Sequence, residues 1–151
     1  MARDRTSIEL DSLPHYVGYQ VRQAQTAVFR DIEFKMRGIG VNPGDFGLLT
    51  IVNGNPGINQ KSLAELYRLD KSTLSYAVKR LVERRWIRRR RDRKDKRFYG
   101  LWLTEVGENI LGQATARIEA QEDLIDTALG PGERSSLIDM LGRITRVLNG
   151  E

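Results

Sequence analysis

Residues 84–97 read RRWIRRRRDRKDKR, ten Lys or Arg against two Asp in fourteen positions. A segment like this cannot enter a core, because unpaired charge is too costly to take out of water. It has to lie on the surface. Its self-repulsion there is relieved when a polyanion neutralises it. The rest of the chain does not share the bias. Residues 1–83 carry eleven basic and nine acidic side chains, and residues 104–151 carry four and nine. The net charge of +5 is therefore a local patch on a near-neutral to acidic body.

A chain of 151 residues suits one core-bearing fold. It has no cysteine, which excludes a disulfide scaffold, a cysteine zinc site and a thiol switch. Met1–Ser7 is polar, without the apolar run of a secretion signal. No apolar run approaches the roughly 18 residues of a membrane span. These features predict a cytoplasmic chain with no membrane partner.

Gly and Pro punctuate the chain at 38–44, 54–57 and 130–132. They separate a long first helix, a compact central unit and two C-terminal helices. The first helix is predicted from about Leu13 to Arg37. It carries one apolar stripe at Val17, Val21, Ala24, Val28 and Ile32, and a second at Tyr16, Gln20, Gln23, Ala27 and Phe34. Two such faces ask for two neighbours, one of them plausibly a second subunit. Asn42, Pro43 and Asp45 then start a helix that ends at Gly54-Asn55-Pro56-Gly57. Near the end of the chain, Leu137, Leu141, Ile144 and Leu148 recur at intervals of four, three and four. That is a narrow seam of the coiled-coil type, expected to form a dimer contact.

The central unit is the informative one. Asn59 caps a short helix, Gln60 to about Tyr67. The turn Arg68-Leu69-Asp70 leads to a second helix, Lys71 to about Arg84, with Asp70 as its cap. Leu74, Val78, Leu81 and Val82 face inward, which leaves Ser72, Thr73, Ser75, Tyr76, Lys79 and Arg80 outside. Two helices on a short turn, the second small, hydroxylic and basic on its outer face, match a helix-turn-helix. Ile87–Arg91 and Phe98–Leu103 then read as a two-stranded wing whose tip, Asp92–Arg97, is the most basic part of the chain.

At this point the sequence resembles the MarR family of regulators. The matching residues are L-A-E-L at 63–66, D-K-S-T-L-S-Y-A-V-K-R-L at 70–81, and D-x-R-x-x-x-L-x-L-T-x-x-G from Asp95 to Gly107. The resemblance implies a mainly α fold with a small β-wing, a winged helix-turn-helix dimerising through its N- and C-terminal helices. It divides the chain into 1–40, a dimerisation helix and pocket wall; 41–104, the DNA-binding lobe; and 105–151, the dimerisation helices. One departure stands out. Arg85 occupies the position after the recognition helix where the family has Gly, and a non-Gly residue in a left-handed conformation costs about 1 kcal/mol. A further resemblance, V-G-Y-Q-V-R-Q-A-Q-T-A-V-F-R-D at 17–31 with N-P-G-D-F-G-L-L at 42–49, points to the branch that senses aromatic acyl-CoA thioesters.

These readings assign roles. Ser72, Thr73 and Ser75 are placed for phosphates or base edges, and Tyr76 for a thymine methyl or a phosphate. Lys79 and Arg80 are placed for guanine or the backbone. In the wing, Arg93 and Arg97 are candidates for the minor groove, Arg91 and Lys96 for phosphates, and Asp95 for orienting an arginine. The partners expected are duplex DNA, a second copy of the chain and a small effector, an aromatic acid or its CoA thioester. No cofactor and no metal are expected: His15 is the only histidine. In this family the effector lodges between the first helix and the DNA-binding lobe. His15, Tyr19, Arg22 and Arg30 are the polar candidates there, the arginines for phosphate groups. A ligand-independent DNA-binding or architectural protein is the alternative. An enzyme is disfavoured because the chain shows no nucleophile–base set and no phosphate loop. RNA binding is disfavoured because the aromatics Phe98, Tyr99 and Trp102 sit on one arm of a wing, not across a sheet.

Overall fold

The computed structural model describes residues 9–91 and 98–151. Pro14 opens a single 3-10 turn, Leu13–His15, and Tyr16 is extended at φ −89°, ψ 130°. The first α-helix, α1, therefore begins later than periodicity predicts and spans Val17–Met36. Only its C-terminal half is covered: Ile32 and Met36 are buried and Val28 half-buried. Tyr16, Val17, Val21 and Phe34 remain exposed, so the first predicted stripe is covered only at Val28 and Ile32, and the second is exposed throughout.

Helix α2, Pro43–Gly54, begins with a reciprocal capping box. The Asn42 side-chain oxygen accepts from the Asp45 N–H at 2.8 Å, and the Asp45 carboxylate accepts from the Asn42 N–H at 3.2 Å. Leu48, Leu49 and Val52 of this helix enter the core. A two-residue strand, β1, Ile58–Asn59, follows. Helix α3, Gln60–Tyr67, is capped by Asn59, which accepts from the Ser62 N–H at 2.9 Å. It ends at Arg68 in the left-handed region, φ 52°. The turn is closed by the Leu69 N–H donating to the Ala64 carbonyl at 3.2 Å. Helix α4, Lys71–Glu83, then crosses over α3.

The sheet has three strands, not two. β2, Ile87–Arg91, and β3, Tyr99–Leu103, pair antiparallel, and β1 pairs with the other edge of β3 through Ile58↔Leu101 and Asn59↔Gly100. A two-residue strand has no periodicity, and its partner lies some forty positions later, so local pattern could not reveal it. Met36, Leu48, Leu49, Leu63, Leu74, Val78, Leu81, Ile87 and Leu101 form one core shared by α1, all three helices of the central unit and the sheet.

Helix α5, Glu105–Asp126, packs on α1, α2 and β3. Helix α6, Glu133–Asn149, buries none of its residues. Leu137, Leu141, Ile144 and Leu148 are all exposed, between 37% and 80%. No helix among the described residues is long and apolar enough to cross a membrane.

Candidate nucleic-acid interface

The N-terminus of α4 is built on Asp70. Its carboxylate accepts the backbone N–H groups of Ser72 and Thr73 at 3.1 and 2.9 Å and both of their hydroxyls. These bonds hold the Asp70 carboxyl well below the usual carboxylate range, the Ser72 hydroxyl contributing most. The hydroxyls of Ser72 and Thr73, expected on DNA, are thus turned onto their own cap. Ser75 and Tyr76 point outward, Tyr76 with 72% exposure. Lys79 is also outward, 3.8 Å from the Glu83 carboxylate.

Arg80 behaves differently. Its guanidinium donates to the Asp45 carboxylate, which is completely buried. Arg80 therefore lies along the flank of α4 that faces α2 and is held by that helix. Thr73, Ala77 and Arg80, at i, i+4 and i+7, form this flank.

After α4 the chain must turn sharply into the wing. Arg85 adopts φ 59°, the conformation expected of the missing glycine. The Arg85 N–H donates to the Val82 carbonyl at 2.9 Å and the Trp86 N–H to the Leu81 carbonyl at 3.0 Å, the two bonds of a Schellman closure. Arg84 stacks over Trp86, with 4.7 Å between guanidinium carbon and ring centre, and donates to the Gly40 carbonyl. Thr104 locks the turn from the far side. Its hydroxyl donates to the Arg85 carbonyl and accepts from the Gly107 N–H at 3.0 Å. A Cβ on Gly107 would sit 1.9 Å from the Trp86 carbonyl oxygen. The L-T-x-x-G spacing thus serves the packing of α5 against the turn that aims the wing.

The β2–β3 register sorts the arginines by face. Arg88 opposite Trp102 and Arg90 opposite Gly100 lie on one side. Arg89 opposite Leu101 and Arg91 opposite Tyr99 lie on the other, continuous with the core residues Ile87 and Leu103. All four arginines are exposed. Arg93, Asp95, Lys96 and Arg97 lie outside the described residues.

Behind α4 is a cleft of about 550 Å³ between α1, α2, α4 and α5. Phe29, Ile32, Phe46, Tyr67, Arg80 and Gln121 line it. The cleft is where the sequence expected a pocket, but none of His15, Tyr19, Arg22 or Arg30 lines it. His15, Arg22 and Arg30 are exposed, and the half-buried Tyr19 accepts a hydrogen bond from Gln23 at 2.8 Å. The reason is geometric: only the second half of α1 reaches the lobe, and Arg30 turns away from it. Burial, with the Asp45 charge nearby, pushes the Tyr67 phenol above its ordinary value. Gln121 is buried, and its amide donates to the Val28 carbonyl at 3.0 Å and to Asp31 at 2.7 Å. Sequence reading missed Asp45, Tyr67 and Gln121 as site residues. The one available signal was Asp45, an acidic residue in a predicted first turn followed by a basic recognition helix.

A second, more open groove of about 760 Å³ runs between α1 and α6, walled by Val17, Val21, Met140, Ile144, Val147 and Leu148. It joins the exposed first half of α1 to the predicted seam.

Three comparisons bear on this arrangement. A protein of Thauera aromatica named as a transcriptional regulator of the hcr operon is 31% identical over 136 residues, 89% of this chain and 82% of that protein. The transcriptional repressor CouR bound to a 23-mer DNA duplex superposes with a TM-score of 0.88 at 27% identity, covering 93% of this chain and all of the other. CouR bound to p-coumaroyl-CoA superposes at 0.84, again at 27% identity, with 93% and 99% coverage. Residues 39–97, a span that holds α2 through β2 and stops short of β3, match the MarR family model. With the helix-turn-helix, the wing and the flanking helices all in place, the chain belongs to the MarR family of transcriptional regulators.

Proposed function

We propose that this protein is a homodimeric repressor that grips duplex DNA with α4 and the wing and is released by an aromatic acid or an aromatic acyl-CoA thioester. One observation carries the reading: the recognition helix has an outward face and an adjoining flank with separate uses. Ser75, Tyr76 and Lys79 face outward, and the arginines of β2 are exposed as well. Thr73, Ala77 and Arg80 wall the cleft behind. Anything that fills the cleft touches the helix that meets DNA, and can change how that helix is held.

The cleft favours a flat, largely apolar occupant. Phe29, Ile32, Phe46 and Ile118 supply an apolar lining, and Tyr67, Arg80 and Gln121 supply polar groups. CouR, bound in one structure to DNA and in another to p-coumaroyl-CoA, supports this pairing of partners. The family is dimeric. The exposed seam on α6 and the apolar first half of α1 support that state for this chain. Residues 1–40 and 105–151 then serve assembly and residues 41–104 the DNA. A dimer presents two recognition helices, which asks for a pseudo-palindromic site with half-site centres roughly 34 Å apart. Such a protein works where DNA is, in the cytoplasm.

The deciding experiment selects a duplex from a random library with the wild-type protein. Binding is then measured with and without 4-hydroxycinnamic acid and its CoA thioester. The reading expects a palindromic selected site and loss of binding on addition of one of the two compounds. Binding indifferent to both would leave a ligand-independent DNA-binding protein. Absence of duplex binding would overturn the reading altogether.

A further inference from the structure

The wing arginines are not simply displayed. Tyr99, the first residue of β3, stands opposite Arg91 in the register and two positions from Leu101, which is opposite Arg89. All of these side chains share one face of the ribbon. The Arg91 Nε donates to the Tyr99 hydroxyl at 3.2 Å. The guanidinium carbons of Arg91 and Arg89 lie 5.8 and 5.4 Å from the centre of the Tyr99 ring. Arg89 also donates to the side-chain oxygen of Gln60 at 2.6 Å, the first residue of α3. One ring thus gathers two arginines, and one of them is tied to the helix-turn-helix.

Resting on the proposal that the chain binds duplex DNA, we infer that Tyr99 is a positioning residue. It orders Arg89 and Arg91 before contact, so that the wing meets the phosphodiester backbone in one register with α4. An arginine free in solution loses up to about 2 kcal/mol of rotamer entropy when fixed on a phosphate. Holding it in place beforehand removes part of that loss from the binding step. The phenol suits the task. Its ring face attracts both cations, and its oxygen fixes Arg91 through Nε, away from the terminal nitrogens that meet a phosphate. The two arginines also stabilise the ionised phenol, Arg91 most, so the pair and the ring are electrostatically coupled. On the opposite face Arg88 and Arg90 have Trp102 and Gly100 as cross-strand partners and lack such a phenol. The wing is therefore asymmetric: one face is ordered and tied to α3, and the other supplies charge.

The test is a double-mutant cycle read on DNA. Wild type, Tyr99→Phe, Arg91→Ala and the double variant are titrated with the selected duplex and with a scrambled duplex across a salt series. Tyr99→Phe should weaken the selected duplex about threefold to tenfold, because Arg91 must then be ordered during binding instead of before it. Its salt slope should be unchanged, because no positive charge is removed. Arg91→Ala should lower the slope by about two per dimer, one for each wing. In the Arg91→Ala background, Tyr99→Phe should cost nothing further. Tyr99→Leu, which removes ring and hydroxyl, should lose about tenfold more than Tyr99→Phe while its melting temperature stays at the wild-type value. Additive losses in the cycle would overturn the proposal, as would wild-type binding by Tyr99→Phe and Tyr99→Leu. A lowered melting temperature that accounts for the loss in Tyr99→Leu would also overturn it, by making Tyr99 a folding residue. Absence of duplex binding by the wild type would instead bring down the DNA-binding reading itself.

Discussion

Arg80 of the recognition helix and Asp45 at the start of α2, 35 residues apart in sequence, form an ion pair whose carboxylate has no solvent exposure. The same carboxylate accepts the Asn42 N–H. Asp45 therefore joins two tasks, capping α2 and holding α4 against it. A buried pair of this kind is a weak source of net stability but is costly to break from one side. Removing the guanidinium leaves a desolvated carboxylate with only its cap bond. Arg80→Ala should destabilise the fold by about 3–5 kcal/mol in urea unfolding. The double variant Asp45→Leu with Arg80→Leu should recover a good part of that loss. If Arg80→Ala unfolds at the wild-type urea midpoint, the pair does not hold the helix.

Gly107 tests the seating of the wing. A methyl group there would overlap the Trp86 carbonyl oxygen, and neither partner is a flexible side-chain end. Gly107→Ala should cost about 2–3 kcal/mol by forcing α5 away from the turn at Arg85. Since that turn aims β2, affinity for DNA should fall more than the stability loss alone explains. Unfolding and duplex binding measured on the same preparation will show whether the two effects separate.

Asp70 ties stability to acid pH. Hydrogen bonds from Ser72 and Thr73 lower its folded-state pKa below the ordinary 3.8. A depressed carboxyl contributes stability that is fully present above the unfolded value and is lost as pH falls through the folded one. The cap should therefore hold at neutral pH and weaken progressively once the pH drops below about 4. Asp70→Asn keeps an N-cap acceptor but cannot titrate. Its melting temperature should decline less steeply between about pH 5 and pH 2 than that of the wild type. Parallel curves for the two proteins would contradict this.

The α6 seam predicts the assembly state. Leu141 is 41% exposed on a helix that buries nothing, beside Leu137, Ile144 and Leu148. An apolar stripe of this kind on the surface calls for a partner. The wild type should sediment as a dimer at micromolar concentration. Leu141→Asp, which places charge in the seam, should give monomers or insoluble chain. A wild-type monomer under those conditions would refute the dimer.

Much of this protein was legible in its sequence because the responsible physics is local. Asn42, Asn59 and Asp70 each stand directly before a helix and cap it, since a cap needs only the next three residues. The strand Ile87–Arg91 was bounded correctly by the turn before it and the charged tip after it. At Arg85 the family resemblance places a glycine, and the structure shows that the arginine adopts the left-handed conformation itself. Three things were decided by the tertiary structure, and one local bond escaped the sequence reading. Strand β1 exists only because β3 arrives beside it. Arg80 faces Asp45 and not open solvent because the fold brings the start of α2 within reach of that flank of α4, and no periodicity distinguishes one flank of a polar face from another. The hydroxyls of Ser72 and Thr73 turn to Asp70, two and three residues before them, because a carboxylate with several lone pairs accepts every donor within reach; that bond is local, and the sequence reading overlooked it. The cleft is lined by Phe29, Tyr67 and Gln121, and not by His15, Tyr19 and Arg22, because only the second half of α1 reaches the lobe; Arg30, within that half, faces away from it. Which residues meet across helices depends on crossing points between elements remote in sequence, and those are set by the packing of the whole core.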